Sequence, residues 1–210
     1  MAIVFYYSPW SSAVRVEVVL EELGLAYEGK KIDLQAGEQK NPEFLEINPN
    51  GKVPALVDDG VPYFESAAIN MHLGEKYGVD KGLWPAADSP LRGPAMSWLV
   101  WTAVSLGYVA GRLMYNTSQY VPAELHHAGQ AEQARKELDS LLGLVEARLS
   151  EGPYMLGDRV SLLDVQMACD IWWFTTMLKL DHEPRPRMKE WLARMTERPV
   201  WKKVMAASTG

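Results

Sequence analysis

Residues 48–60 read NPNGKVPALVDDG. Val53, Ala55, Leu56 and Val57 form a short apolar strand pattern, and Asp59-Gly60 is the tight turn that closes it. Pro54 has no N–H to give a sheet ladder and restricts the residue before it. A proline at the mouth of a strand therefore predicts backbone left without a ladder partner. Either the strand lies at a sheet edge, or something else pairs there.

Upstream, Ile3–Tyr7 reads as a strand. Ser11 or Ser12 is placed to cap a helix whose apolar face is Val16, Val19, Leu20 and Leu23, and Gly24 ends it. Tyr27–Ile32 is a second strand, and the βαβ order predicts parallel pairing with the first. NPEFLEI, residues 41–47, is a short helix or an irregular link. Downstream, Val53–Val57 and Val61–Phe64 form a hairpin through Asp58-Asp59-Gly60. Pro62 puts the second strand of that hairpin at the sheet edge. Ser66–Tyr77 reads as a helix stopped by Gly78.

Residues 78–94, GVDKGLWPAADSPLRGP, hold three prolines and three glycines and read as a linker. Beyond them the pattern is helical throughout. Ala95 to about Met114 is apolar nearly all round, predicting a helix buried on several sides. Ala128–Leu149 carries Ala131, Ala134, Leu138, Leu141, Val145 and Leu149 on one face. In GDRVSLLDV, Ser161 and Asp164 form a capping box, with Val160 and Val165 as its hydrophobic staple. Two last helices are split by Pro199. The predicted organisation is a βαβ–ββα module at 1–77, a linker at 78–94 and an all-helical module at 95–210.

Composition narrows the function classes. The 210 residues are 48% hydrophobic and 23% charged, ordinary values for a globular chain. A net charge of -6 argues against a nucleic-acid partner or an anionic membrane surface. MAIVFYYSPW lacks the basic start and long apolar run of a signal peptide, and no stretch is long enough to span a bilayer. The one cysteine, Cys169, excludes an intrachain disulfide and any CxxC pair, which fits a reducing, cytoplasmic setting. Within DVQMACDIWWF it reads as a buried core thiol. His72, His126, His127 and His182 lack metal-ligand spacing, so no metal is expected.

Glu65-Ser66 carries chemistry independent of any family. A serine opening a helix joins its hydroxyl to the first free backbone N–H groups, which suits a carboxylate; Glu65 adds a partner for an amino group.

Four stretches together resemble the cytosolic glutathione S-transferase superfamily, in the manner of a bacterial member: YYSPWSSAVRVEVVLEELG, FLEINPNGKVPALVDDG, YFESAAINMHLGEKYG and GDRVSLLDVQMA. RPVWKKVM near the end is similar to the closing helix of that family. The resemblance implies an α/β plus all-α fold, with a thioredoxin-like βαβαββα domain followed by an all-helical domain. It implies a cis Val53–Pro54 bond, with the Val53 backbone pairing with the cysteinyl part of glutathione as another strand would. Glu65 and Ser66 would take the γ-glutamyl group. Lys52, Gln39 and Lys40 are candidates for the glycyl carboxylate.

A free thiol of this kind has a pKa of about 8.5, so the protein needs a donor aimed at sulfur. SSAVR resembles the serine-type loop of the theta and zeta groups. Anchoring on Arg15 points to Ser11, anchoring on Ser8-Pro9 points to Ser12, and Tyr6 or Tyr7 follow. For the second substrate, Trp10, Tyr108, Arg112, Met114 and Tyr115 are candidates between the domains. The implied activity is attack of the glutathione thiolate on a small electrophile. A non-catalytic binding or regulatory module on the same fold is the alternative. A disulfide enzyme using its own cysteine is disfavoured, because none precedes Cys169. Eight tryptophans and long apolar helices, together with the resemblance, predict a homodimer.

Overall fold

The computed structural model describes residues 3–181 and 183–208; His182, weighed above as a metal ligand, lies outside them. Four strands make one mixed sheet: β1 (Ile3–Tyr7), β2 (Tyr27–Lys31), β3 (Ala55–Asp58) and β4 (Val61–Phe64), in the order β2-β1-β3-β4. β1 pairs parallel with β2 and antiparallel with β3, and β3 pairs antiparallel with β4. Pro62 thus sits on an edge strand, as its missing N–H requires. The hairpin turn is the two residues Asp59 and Gly60, with φ of 51° and 81°. Two successive positive φ values match the right-handed twist of the strands on either side.

α1 (Val14–Glu22) and α3 (Ser66–Leu73) pack together in this first unit. Val16, Val19, Leu20 and Leu23 of the first helix and its end are fully buried with Phe5, Leu56 and Ile69. Each such side chain contributes roughly 1.5–3 kcal/mol on leaving water. α2 (Pro42–Ile47) is a true short helix with Pro42 at its first position, where the missing N–H costs nothing. Its Phe44 closes a small core with Ile32 and Ala55, against which Tyr6, Ile47 and Val53 pack.

Several boundaries differ from expectation. β3 begins at Ala55, so Val53 and Pro54 precede the strand. The N-cap of α1 is Ala13, with no side-chain cap, so neither Ser11 nor Ser12 caps the helix itself. α3 loosens into a wider π turn over Gly74–Gly78, where the Trp84 ring lies so close to Gly74 that an added Cβ would come within 2.6 Å of it.

The second unit spans residues 93–195. α4 (Arg92–Trp101), a π segment (Thr102–Leu106) and α5 (Gly107–Tyr115) run on as one helix. Expected to be buried on several sides, it buries the row Ala95, Leu99, Thr102, Leu106, Val109 and Leu113 and leaves Val104 63% and Tyr108 67% exposed. α6 (Ala128–Arg148) buries Ala134, Leu138, Leu142 and Val145, so Leu142 takes the place expected of Leu141. The spacing i, i+4, i+8, i+11 is the tighter fit to one face of a helix. α7 (Leu162–Met177) opens on the expected box: Asp164 accepts from the Ser161 N–H at 2.9 Å and from its hydroxyl at 2.7 Å. Asp164 also accepts from the Met155 N–H at 2.8 Å and Trp191 Nε1 at 2.9 Å. Burial pushes its carboxyl up while these donors pull it down, with burial the larger effect. Cys169 is buried on the same helix. α8 (Pro186–Thr196) carries Trp191.

α9 (Pro199–Ser208) groups by contact with the first unit, residues 1–92 and 196–210, rather than with the helices before it. It packs on α1, where Arg198 grips Glu22 with bonds of 2.6 and 2.7 Å and Lys203 meets Glu21 at 2.6 Å. The division of the chain by contact is therefore a different cut from 78–94 and 95–210.

Candidate functional site

Three segments of the first unit converge where β1 and β4 end and β3 begins. The strand registers place two of them. Ala55 faces Tyr6 on β1 and Phe64 on β4. One residue further back, Pro54 falls beside Tyr7 on one side and Glu65 on the other. The Val53–Pro54 bond is cis. The third segment is the loop from Ser8 to Ala13. Its Ser12 hydroxyl donates to the Val53 carbonyl oxygen at 3.2 Å. Among the described residues, the Val53 N–H has no acceptor.

The stretch before Val53 is organised by Asn48, which is 2% exposed. Its amide donates to the Lys52 carbonyl at 2.6 Å, and its oxygen accepts from the Asn50 N–H at 3.0 Å. Gly51 has φ of 58°, and a Cβ there would lie 2.8 Å from both Gln39 O and Lys40 Nζ. Glycine is thus required twice over, by conformation and by space. That close approach brings Gln39 and Lys40 against Gly51, two residues before Val53. Gln39 donates to the Leu34 carbonyl at 3.3 Å.

At the start of α3, Glu65 has φ of 66° and ψ of 118°. A non-glycine residue held this way costs on the order of 1–3 kcal/mol, which its surroundings offset. The helix then begins at Ser66, 94% buried by its 6% exposure. Arg15 Nη1 donates to Ser66 Oγ at 3.4 Å. A lone pair of that oxygen is then engaged, and the hydroxyl proton remains to be donated, alongside the N–H groups of the first turn. Asn70 of α3 donates to the Arg15 carbonyl at 3.3 Å, tying α1 to α3. A buried hydroxyl, a helix N-terminus and a guanidinium make a site for a carboxylate.

The candidate thiol donors are placed differently from one another. Ser11 Oγ donates to the Ser8 carbonyl at 2.6 Å and accepts from the Ala13 N–H at 3.2 Å. These bonds bracket Trp10, which is 56% exposed and held at φ of 57°. Ser11 is thereby a clamp on a left-handed turn. Among the described residues the Ser12 hydroxyl bonds only the Val53 carbonyl, while the Ser12 carbonyl accepts from the Arg15 N–H at 3.3 Å. Tyr7 stacks on Phe5 with ring centroids 5.5 Å apart, and its ring edge lies 3.3 Å from where a Cβ of Gly29 would stand. Gly29 is on β2, on the flank of β1 away from β3 and Val53. Tyr6 points to the other face and meets Phe44 edge-on. The structure brings Ser12, Val53, Pro54, Lys52, Gln39, Lys40, Glu65 and Ser66 into one neighbourhood, while the Tyr6 ring contacts Phe44 and the Tyr7 ring contacts Phe5 and lies over Gly29.

Of the second-substrate candidates, Trp10 belongs to the first unit; Tyr108, Arg112, Met114 and Tyr115 belong to α5 of the second. Arg112 pairs with Glu137 at 2.5 Å and lies 6.0 Å from the Tyr108 ring centroid. Tyr108, Val104 and Glu137 line a surface cavity of about 590 Å³ in that unit.

Arg15 and Asn48 are the residues that sequence reasoning passed over. Arg15 entered only as a landmark for the serines. Its position one residue into a helix, facing a second helix N-terminus, was the available signal. Asn48 stands in NPNG, where an asparagine before a proline commonly bonds its own turn.

Among the described residues no group of three or more His, Cys, Asp or Glu side chains could hold a metal, and no helix is long and apolar enough to cross a membrane.

Two family models match the chain: glutathione S-transferase, N-terminal domain, over residues 3–75, and glutathione S-transferase, C-terminal domain, over residues 128–194. The disulfide-bond oxidoreductase YfcG of Escherichia coli is 32% identical over 205 residues, covering 93% of this chain and 90% of that protein. Glutathione S-transferase APIC of Nicotiana tabacum is 30% identical over 207 residues, covering 97% of each. Among solved structures, glutathione transferase URE2P6 of Phanerochaete chrysosporium, in complex with oxidized glutathione, superposes with a TM-score of 0.89 at 28% identity. It covers 99% of this chain and 96% of that one.

Proposed function

The chain belongs to the glutathione S-transferase superfamily, and from that premise we propose that it binds glutathione in its first unit and activates the thiol for attack on a small electrophile. The observation that carries the reading is the Ser12–Val53 bond, which sets a hydroxyl beside open backbone next to the Glu65-Ser66 helix start. The γ-glutamyl carboxylate meets the Ser66 hydroxyl, the first amides of α3 and Arg15, and its ammonium meets Glu65. The cysteinyl backbone pairs with Val53, and the glycyl carboxylate lies toward Lys40, Lys52 and Gln39. Bound there, the thiol loses its proton to solvent and the thiolate is held by a hydroxyl donor. Its sulfur forms a bond to an electrophilic carbon, and the leaving group departs with its electron pair. Trp10, beside that donor, is the proposed contact for the second substrate from this unit, with Tyr108, Arg112 and Tyr115 as candidates from the other.

A second reading uses the same thiolate. Similarity to YfcG favours disulfide exchange, carried by the thiols of glutathione itself because the loop holds no cysteine. One glutathione thiolate attacks a disulfide sulfur and releases a thiolate. A second glutathione then attacks the mixed disulfide, giving oxidised glutathione and a second thiol. Retention on immobilised glutathione, followed by turnover with a panel of electrophiles, peroxides and disulfides, tests both readings. Retention without turnover would instead support a binding or regulatory module. We also propose a homodimer, supported by the exposed apolar row Val100, Val104 and Tyr108; a monomer mass in light scattering at micromolar concentration would oppose it. A cytoplasmic location is the accompanying proposal.

A further inference from the structure

We infer that the cavity between α5 and α6 is a binding site for a flat, uncharged aromatic molecule that carries a hydrogen-bond donor, such as a phenol or an aryl amine. All of its walls lie in the second unit, so binding there does not rest on the glutathione reading. Its volume of about 590 Å³ is in the range that holds small organic ligands. Val104, Val109 and Leu141 line it with apolar surface, and the exposed Tyr108 adds an aromatic ring. The π segment (Thr102–Leu106) supplies Val104 and Ser105 to the wall. Such wide turns are rare and recur at functional sites.

The polar groups decide the chemistry of the ligand. Glu137 lines the cavity, and Arg112 Nη2 donates to its Oε2 at 2.5 Å. Glu137 Oε1 takes no bond among the described residues, which leaves it as an acceptor in want of a donor. Ser140 spends its proton on the Lys136 carbonyl at 3.2 Å and so offers the cavity lone pairs as well. The carboxylate charge is already answered by Arg112, so a hydrogen bond rather than an ion pair remains to be made. An anion is disfavoured, because Arg112 does not line the cavity and its Nε is buried, while Glu137 faces the ligand. Arg112 is thus a positioning residue: it fixes Glu137 and lies 6.0 Å from the Tyr108 ring centroid. Val104 and Tyr108 also belong to the apolar row that supports the homodimer, so a second copy of the chain is the rival occupant.

The probes are β-naphthol, which carries a donor, β-naphthyl methyl ether, which has lost it, and β-naphthoate, an anion on the same rings. Equilibrium dialysis against the parent, without glutathione, should show β-naphthol bound about three- to thirtyfold more tightly than the ether, with β-naphthoate weakest. That ranking needs no variant. In Glu137→Gln, checked for an unchanged melting temperature, the preference for β-naphthol over the ether should fall and β-naphthoate should bind about three- to tenfold more tightly. Tyr108→Ala should weaken β-naphthol and the ether alike, by about two- to tenfold. Equal binding of β-naphthol and the ether by the parent would overturn the inference. So would the full preference surviving in Glu137→Gln. Failure of every probe to bind at millimolar concentration would overturn it too; if Tyr108→Ala then also lowers the light-scattering mass from dimer to monomer, the second copy is the occupant. Retention on immobilised glutathione is scored separately, so failure of the glutathione reading and failure of this one remain distinct.

Discussion

Replacing Arg15 by methionine probes the carboxylate end of the site and separates charge from packing. Arg15 Nη1 stands 3.4 Å from Ser66 Oγ. A carboxylate accepting from that hydroxyl would lie on the order of 5 Å from the guanidinium charge. At an effective dielectric of about 20, two unit charges at that distance attract by about 3 kcal/mol. The site is open to solvent on the ligand side, so screening leaves roughly 1–2 kcal/mol. That corresponds to a loss of about five- to thirtyfold in glutathione affinity. Arg15→Lys, which keeps the charge but not the planar fork, should lose less. The assay is calorimetric titration with glutathione and with the analogue lacking the γ-glutamyl α-carboxylate. The parent should distinguish the two ligands strongly, and Arg15→Met should distinguish them far less. Higher salt should weaken glutathione binding to the parent more than to the variant. Equal affinity for glutathione in parent and Arg15→Met, or the same ligand discrimination in both, would refute the reasoning. Arg15 would then be a strut between α1 and α3, as its carbonyl bond to Asn70 alone would allow.

Ser66→Ala should weaken glutathione binding by about 1.5–3 kcal/mol, through loss of a hydrogen bond to a charged group, while the melting temperature changes little; unchanged affinity by calorimetry would return Ser66 to a plain helix start. Asp58 is fully buried and accepts from His72 at 2.7 Å, Lys76 at 2.8 Å and Tyr77 at 2.9 Å. Burial pushes its carboxyl up, but the bonds from Lys76, His72 and Tyr77 outweigh it and hold the group below the usual carboxylate range. Its stabilisation is therefore complete above about pH 4 and lost as the pH falls through the lowered folded value. Asp58→Asn should cost about 2–4 kcal/mol at neutral pH in denaturant unfolding, with the gap to the parent narrowing in acid. A gap that stays constant from neutral pH to acid would contradict this. Asp164→Ala orphans the buried donors of Met155, Ser161 and Trp191 and should cost roughly 3–5 kcal/mol, with altered Trp191 fluorescence. A loss below about 1 kcal/mol would show that solvent replaces the carboxylate.

The first unit was legible because its signals are local and mutually consistent. Pro62 and Asp59-Gly60 specify an edge hairpin, and the βαβ spacing leaves few choices for pairing. The site candidates at Val53, Glu65 and Ser66 followed from the same words. Other features depend on contacts that sequence spacing does not encode. The start of α1 moved past both serines because Ser11 bonds Ser8 and Ala13 in a turn of its own. A capping serine and a turn-clamping serine look alike in sequence. The return of α9 to α1 rests on Arg198–Glu22, a pair 176 residues apart. The outward apolar face of α4–α5 was hidden because a helix apolar all round gives no period to read. The π segment at Thr102–Leu106 also shifts the register partway along.

The most direct test of the account is the thiol pKa of glutathione bound to the parent protein, from thiolate absorbance across a pH titration at saturating protein. The account predicts a value near neutrality, about one to two units below that of the free tripeptide. Saturable binding with the thiol pKa unchanged would contradict thiol activation at this site, and the absence of saturable binding would contradict the site itself.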